Sequence, residues 1–576
     1  MFSLGMINQD LAKMFEEMAL MWELEGVEWK PRAYENAARG VAELSEDVRD
    51  IYKREGVKGL DKIPGVGKGI AWHIEEFLKT GKIEKYERLR KKYPRELLEL
   101  MEVEGLGPKR VVKLVREMKI HSLGELKRAA EKGLIRELPG FDAKTEKNIL
   151  TALSFHQASK GRMLISSALP LAEEVIEYLK KRVKVQKIDY AGSLRRMKET
   201  IGDIDLLAVA DAKELMDVFV KMPKVQRVLA KGSTKSSVLL REGVSVDVRV
   251  LPAESYGAAL QYFTGSKEHN IALRNLALDK GLKLSEYGLF ERKSEKLVAG
   301  KSEEEVYKKL GLEWIPPELR ENRGEIEAAK KKKIPKLIDL KDIKGDLQMH
   351  TVYSDGRNSV KEMAEKAERL GYGYIAITDH SKSQRIANGM SVDRLRKQWK
   401  EINKVQKGVN IRILKGAEVD ILPDGSLDYP NKILKELDIV LASIHSRFKS
   451  SEREMTKRIV AALENEYVNI LTHPSGRLLN RREPYKVDFD ALFETAKKNK
   501  KIVEINGHPE RLDLNDALIL KAKKFGLKFS VSTDSHAVQN LDFMKYGVGQ
   551  ARRGWLERKD VVNTYSLSQF KKVVRI

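Results

Sequence analysis

Cysteine is absent from the 576 residues, so neither a disulfide nor a Cys-based zinc site is available. A transition metal would have to be held by histidine and carboxylate. This suits a reducing cytosol, and a cytoplasmic protein is expected. No apolar stretch reaches 18 residues, and the start, MFSLGMINQDLAKMFEEMA, lacks a basic region followed by an apolar run and a cleavage site. The chain is therefore expected to be neither exported nor membrane-spanning. Acidic residues are in deficit: Asp+Glu 85 stand against Lys+Arg 108, a formal charge of +23. A heavily solvated, thermophile-type surface explains many charges but not that excess. A basic groove facing nucleic acid does. Single cores rarely grow past about 250–300 residues, so several domains are expected.

The most informative stretch has Asp203 and Asp205 a short turn after Gly192-Ser193-Leu194-Arg195-Arg196, with Asp247 in Ser245-Val246-Asp247-Val248-Arg249-Val250. Strand side chains alternate faces, so Asp203 and Asp205 share one face and Ile204 and Leu206 the other. The same alternation buries Val246, Val248 and Val250 and leaves Asp247 and Arg249 open. Three carboxylates on neighbouring strands repel one another unless divalent cations lie between them, and phosphoryl transfer uses such a metal pair. Gly192 and Ser193 can offer N–H groups and a hydroxyl to a triphosphate, with Arg195 and Arg196 adding charge. A lone Asp-x-Asp reads as exposed acids on a sheet. The Gly-Ser loop before it and the third aspartate after it make this a nucleotidyl-transfer site.

Residues 1–155 read as helices punctuated by glycine. In Ile63-Pro64-Gly65-Val66-Gly67-Lys68 a tight turn joins two helices, and free N–H groups at the second helix start can hold a DNA phosphate. Val103-Glu104-Gly105-Leu106-Gly107-Pro108-Lys109 repeats this helix-hairpin-helix pattern, and Leu138-Pro139-Gly140 opens a weaker third copy. Backbone binding without sequence preference is expected. From about 160 to 320 short strands alternate with helices. Glu325 to Lys336, with Lys330, Lys331, Lys332 and Lys333 in a row, reads as an exposed linker.

Beyond 339 a unit recurs: a short apolar strand ending in a histidine or acid, then a polar helix. Strands are expected near Asp346–Met349, Tyr374–Thr378, Ile411–Lys415, Ile439–Ile444, Val468–Thr472, Ile502–Asn506 and Lys528–Ser532. Such βα units suggest a barrel whose site lies at the strands' C-terminal ends. Five histidines end a strand or follow one closely, His350, His380, His445, His473 and His536, and Asp355, Glu418 and Asp534 accompany them. Mixed nitrogen and oxygen ligands suit Mn2+ or Zn2+, two to three ions. Phosphoester hydrolysis is the natural reaction. His508 is expected at the rim rather than among the ligands.

Together these motifs resemble a prokaryotic family X DNA polymerase, similar to DNA polymerase beta over about 1–320, followed by a polymerase-and-histidinol-phosphatase (PHP) domain. Tyr262-Phe263-Thr264-Gly265-Ser266 joins the aspartate motifs in carrying the likeness. It implies a multidomain α+β and α/β chain. A helical 5′-phosphate-binding domain would span 1–80, a fingers-like helix-hairpin-helix region 81–160 and a nucleotidyltransferase palm 161–252. A thumb over 253–320 and a linker over 321–338 would lead to a distorted (βα)7 PHP barrel over 339–576. Asp203 and Asp205 would bind both Mg2+ or Mn2+ ions and Asp247 one, near the primer 3′-hydroxyl. Gly192, Ser193, Arg195 and Arg196 would meet the triphosphate. Tyr262, Phe263 and Gly265 would line the nucleotide pocket, with Asn270 and Arg274 along the nascent pair. Lys30, Tyr34, Gly65, Gly67, Lys68, Gly105, Gly107 and Lys109 would contact DNA. In the PHP domain, His350, His380, Glu418, His445, His473, Asp534 and His536 fall on the family's ligand motifs, with Asp355 beside them. The chain departs from the pattern twice. Gln348 stands where many PHP members have histidine, and His73 where polymerase beta has its Schiff-base lysine, which bears on 5′-deoxyribose-phosphate lyase activity.

The expected protein is a monomeric, cytoplasmic DNA repair polymerase of the base excision type. Its partners would be gapped or primer-template DNA, 5′-phosphate ends and deoxynucleoside triphosphates. The PHP domain would act as a 3′-5′ exonuclease, with AP endonuclease or 3′-end processing beside it. A DNA-end scaffold with relict sites is opposed by the complete aspartate triad. A nucleotidyltransferase for RNA or small molecules is opposed by the helix-hairpin-helix repeats.

Overall fold

The computed structural model describes residues 6–42, 44, 47–103, 106–159 and 162–574. The chain divides into two compact units, residues 1–160 with 480–482, and the rest.

Among the described residues, every element of the first unit is a helix. Its core gathers Phe15, Met18, Trp22, Tyr34, Ala37, Val41, Ile70 and Ile74, with Leu114, Leu126 and Leu153 in the same cluster. Two glycines bring the first helix-hairpin-helix together. A Cβ on Gly40 would overlap the carbonyl of Pro64, and one on Gly65, at φ +79°, would stand 2.4 Å from the Asn36 oxygen. The helix Lys30–Ala42 therefore lies directly on the turn that leads into Lys68–Thr80. Gly67 caps that second helix and Gly107 caps Pro108–Met118, so both expected turns open helices. Gly140, at φ +86°, repeats the left-handed turn of Gly65 in the third copy.

In the second unit, strands Val185–Tyr190, Asp203–Ala210, Val225–Lys231, Lys235–Leu240 and Ser245–Val250 form a mixed five-stranded sheet. Asp203–Ala210 lies between Val185–Tyr190, antiparallel, and Ser245–Val250, parallel. One sheet face is sealed by helices Ile165–Lys180 and Ala212–Val220 through Leu169, Ala172, Val175, Leu215 and Phe219 packed on Ile204, Leu206, Val246 and Val248. Helices Tyr256–Thr264 and Lys267–Asp279, a three-stranded sheet and Glu303–Lys309 follow around Leu273, Leu289, Val306 and Tyr307.

The expected exposed linker is corrected by the packing of 321–338. Glu325 is fully buried and bonds His269 Nδ1 at 2.6 Å, and its carboxylate accepts from the N–H groups of Asn322 and Arg323. Ile338 lies in the barrel core. The lysines 330–333 do face solvent, so the charge run marks one face of a packed segment, not a free connector.

Seven parallel strands then follow in chain order: Gly345–Asp346, Tyr374–Ile377, Arg412–Asp420, Ile439–Ser443, Ile470–Leu471, Ile502–Asn506 and Lys528–Ser532. A bridge between Met349 and Ser535 joins first to last. Alternate residues take different cores. Tyr374, Ala376, Ile439 and Leu441 pack in one cluster with Val562 and Phe570, whereas Ile375, Ile377, Val440 and Ala442 pack with the outer helices. Towards the C-terminal strand ends the inner positions change from aliphatic to acidic or amide: Ile502 is followed on its face by Glu504 and Asn506. This change places the site.

Candidate active sites

In the five-stranded sheet, Asp205 and Asp247 are direct register partners across the parallel strand pair, and Asp203 lies opposite Ser245. The alternation is as expected: Ile204, Leu206, Val246 and Val248 are fully buried, while Asp203 is exposed and Asp205 and Asp247 are half-buried. Burial, then the charges of Asp203 and Asp247, pushes Asp205 up to about 6. Lys235 Nζ lies 2.7 Å from Asp247 Oδ2. Lys235 was not singled out in the sequence, where nothing relates it to an aspartate two strand positions away on the neighbouring strand.

Gly192, at φ +59°, begins the one-turn helix Gly192–Arg195, whose first N–H groups lie outside any helical ladder. Ser193 is half-buried beside them. Arg195 spends its guanidinium inside the fold, donating to Glu303 at 2.7 and 2.8 Å and to Thr264 Oγ1 at 2.7 Å. Arg320 shares Glu303, and the two guanidiniums hold that carboxyl well below the usual range despite its burial. Arg196 Nε donates to Glu321 at 3.0 Å, and its Nη1 to the Thr264 carbonyl. A Cβ on Gly265 would stand 3.1 Å from Arg196 Nη1, so this glycine leaves room for the arginine. Tyr262 and Phe263 meet edge to face at 5.1 Å, and Arg249 lies over the Phe263 ring at 4.5 Å. Asn270 donates to the Tyr262 carbonyl at 2.7 Å, and Arg274 is exposed one turn further on.

At the barrel rim, Glu418 is surrounded by imidazoles. His473 Nε2 lies 2.8 Å from it, and His350, His380 and His445 each 3.3 Å. His350 also meets Asp534 at 3.1 Å, and Asp355 faces His536 at 3.4 Å and His380 at 3.6 Å. Three groups place ligand atoms within metal-binding reach of one another: His350, Asp355, His380 and His536; His380, Glu418 and His445; and His350, Glu418 and Asp534. His473 lies beside them, 2.8 Å from Glu418 and with its ring 5.2 Å from that of His445.

The donor set fits metal ions. Glu418 Oε2 and the Nδ1 atoms of His350, His380 and His473 are buried and make no well-aligned hydrogen bond, although Oε2 lies 3.3 Å from His350 Nε2 and His380 Nδ1. Orphaned buried polar atoms are costly, and coordination of a cation relieves them. Gln348 is fully buried, accepts from Thr472 Oγ1 at 2.8 Å through its Oε1 and leaves Nε2 unpartnered. His508 stays out of the cluster, its ring against Phe543 at 5.4 Å, and burial lowers it to about 4.

Several supporting residues escaped the sequence reading. Asp420 holds His445 Nδ1 at 2.6 Å, Arg511 lies 3.2 Å from Asp534, and Asn506 donates to Asp534 at 3.1 Å. Asp379 accepts from the Thr351 N–H and hydroxyl at 2.8 and 2.6 Å. Asp420 carries a legible signal, two residues after Glu418 on the same strand face.

In the helical unit Lys68 is exposed at the first turn. Lys30 Nζ stands over the Trp22 ring at 3.7 Å. Tyr34 is 7% exposed and packs between Phe15 and His73. Gly105 lies outside the described residues, as does the side chain of Lys109.

Comparison with known proteins accounts for these features together. A helix-hairpin-helix domain matches residues 6–83, a SAM-like helix-hairpin-helix tandem 97–154, the DNA polymerase beta thumb 259–321 and the PHP domain 346–508. Probable phosphatases of Thermoanaerobacter sp. (strain X514) and Caldanaerobacter subterraneus subsp. tengcongensis are 34% and 33% identical over 203 and 202 residues, 33% of this chain and 78% and 75% of theirs. The DNA polymerase/3′-5′ exonuclease PolX of Bacillus subtilis (strain 168) is 41% identical over 567 residues, 98% of each chain. With that likeness running through nearly the whole chain, thumb and PHP domain included, the chain belongs to the PolX family of DNA polymerases/3′-5′ exonucleases.

Proposed function

We propose that this chain fills short gaps in DNA during repair at the palm and trims 3′ ends at the PHP barrel. The single observation that carries the reading is the pairing of Asp205 with Asp247 in register, beside Asp203, on the open end of a sheet whose other face is sealed. Asp203, Asp205 and Asp247 would hold Mg2+ or Mn2+ beside the primer 3′-hydroxyl. His350, Asp355, His380, Glu418, His445, His473, Asp534 and His536 would hold two to three Mn2+ or Zn2+ ions. Bound divalent ions supply charge for the attacking and leaving oxygens in the palm and, in the barrel, a more acidic water and a grip on the phosphate.

The chain's own groups do the positioning. The Gly192-Ser193 turn offers N–H groups and a hydroxyl to the triphosphate, and Arg196 adds charge there while anchored by Glu321. Arg195 acts one step back, fixing the loop to Glu303. Tyr262 and Phe263 bound the sugar pocket, and Asn270 sets Tyr262 through its carbonyl. In the barrel, Asp420 orients His445, and Arg511 and Asn506 orient Asp534. Gapped or primer-template DNA would be gripped through its backbone by the Gly65-Val66-Gly67-Lys68 turn and the turn at Gly107. We place the protein in the cytoplasm as a monomer on DNA.

The test is primer extension on a gapped duplex with Mg2+ or Mn2+, and release of nucleotides from a 3′ end, run on one preparation. Loss of extension in Asp205→Ala and of 3′ trimming in His445→Ala supports the reading. Metal-dependent DNA binding with neither reaction would favour an end-binding scaffold.

A further inference from the structure

The turn between the Gly192-Ser193 loop and Asp203 is held from outside the palm. Arg553, in the helix Met544–Arg553 of the PHP region, is 2% exposed and donates Nη1 to the carbonyl of Arg196 at 2.7 Å and to Glu321 at 3.0 Å. Its Nη2 donates to Asp516. Glu321 is the same carboxylate that accepts from Arg196 Nε at 3.0 Å. One buried guanidinium therefore fixes Arg196 twice, through its own carbonyl and through the acid that aims its side chain.

The next three residues are seated in the same way. A Cβ on Gly549 would come 2.6 Å from Met197 Cε, so the helix meets that side chain at a glycine. Lys198 lies 3.9 Å from Glu321. Glu199 receives Arg477 at 2.7 and 3.1 Å and Gln550 at 2.8 Å. Leu512 and Tyr546 of the barrel region belong to the palm's own buried cluster. Glu199 is thus bridged from two barrel segments, and the turn has little freedom to move without them.

We infer that Arg553 is a positioning residue for nucleotide addition: the PHP region sets the triphosphate-facing loop of the palm by holding Arg196 and Glu321. The inference rests on the polymerase reading given above. An isolated surface ion pair is worth little, but this guanidinium is buried and serves three oxygens, and removing one partner of such a group misplaces the others. Arginine suits the place because its planar fork serves several acceptors at fixed angles, which an ammonium cannot.

The test uses the full-length chain on a single-nucleotide gap with Mg2+, measuring kcat and KM for the incoming nucleotide, 3′ trimming of single-stranded DNA, and Tm. Arg553→Met should raise KM about tenfold, the cost of one hydrogen bond to a charged group, with kcat and 3′ trimming each within about twofold of the parent. Arg553→Lys should recover part of the KM loss. Asp516→Asn, which leaves the arginine in place and frees one anchor, should give a smaller rise of the same kind and decides the matter if Arg553→Met does not fold. An unchanged KM in a folded Arg553→Met protein overturns the inference, as does an equal fall in extension and trimming. Failure of the parent protein to extend a primer would instead sink the polymerase reading itself.

Discussion

A Cβ atom placed on Gly192 would stand 2.5 Å from Oδ2 of Asp205, so the loop and the carboxylate pack with no side chain between them. Gly192 also sits at φ +59°, where an L-residue costs about 1–2 kcal/mol. Gly192→Ala should displace Asp205 or the loop and cut primer extension at least about tenfold, since small misplacements at a reacting centre are expensive. Exonuclease activity at the barrel should stay unchanged. Full extension activity in the variant would mean that the turn is looser than the packing implies.

Asp205 gives a pH prediction. Burial and then its two carboxylate neighbours push it up to about 6. A carboxyl raised in the folded state binds its proton more tightly there than when unfolded. Its contribution to stability is thus present at low pH and fades as pH rises through about 6. Asparagine mimics the protonated form at every pH. In the presence of a chelator, the Tm advantage of Asp205→Asn over the parent should be larger at pH 7.5 than at pH 5, by a few degrees at roughly 2–4 °C per kcal/mol. An equal difference at both pH values would show that repulsion within the triad is not felt.

The barrel site tests separately. Asp420 touches His445 Nδ1 at 2.6 Å and is absent from the three groupings of metal-type side chains at the barrel rim. Removing such an orienting acid typically costs about 10–100-fold in metal affinity or activity. Asp420→Ala should show this in Mn2+ titration and in 3′ trimming while nucleotide addition is retained. Parallel loss of both activities would indicate that the variant unfolds the shared unit.

The parts legible in the sequence were those carried by short-range periodicity. Asp203, Asp205 and Asp247 declared themselves because alternation along a strand fixes which side chains share a face. The seven barrel strands are legible as short apolar runs that recur before polar helices, although Arg412–Asp420 runs five residues past the expected end at Lys415. The excess is where inward positions turn acidic, and acids in a strand read as loop until the ions they serve are considered. The segment 321–338 was misread because its lysines signal solvent while Glu325 is paired by His269, 56 residues away. Arg553 was invisible for a stronger reason. Its bond to the Arg196 carbonyl spans 357 residues, and no local pattern announces a partner at that distance. Lys235 and Asp247 pair across adjacent strands, which alternation places on a sheet but does not align.

The helical unit supplies the last prediction. Polymerase beta-type lyase chemistry needs a primary amine that can form an imine with the sugar, and an imidazole cannot supply it. His73 occupies that position, its ring 6.3 Å from Tyr34 and its Nδ1 3.5 Å from Glu76. Neither nearby lysine is an obvious substitute. Lys30 Nζ stands over the Trp22 ring at 3.7 Å, an attraction that holds the ammonium in place. Lys68 is exposed at the start of its helix, where a bound DNA phosphate would engage its ammonium and hold it away from the sugar. The protein should therefore bind a 5′-deoxyribose-phosphate flap without forming a borohydride-trappable adduct. His73→Lys should gain trapping, because the ring's half-buried place beside Tyr34 puts an amine in the same pocket. Strong trapping by the parent protein that vanishes in Lys68→Ala or Lys30→Ala would show that a neighbouring lysine has taken the role. If the parent does not trap and His73→Lys does, one side chain decides the activity, and removal of the sugar falls to the barrel site or to another enzyme.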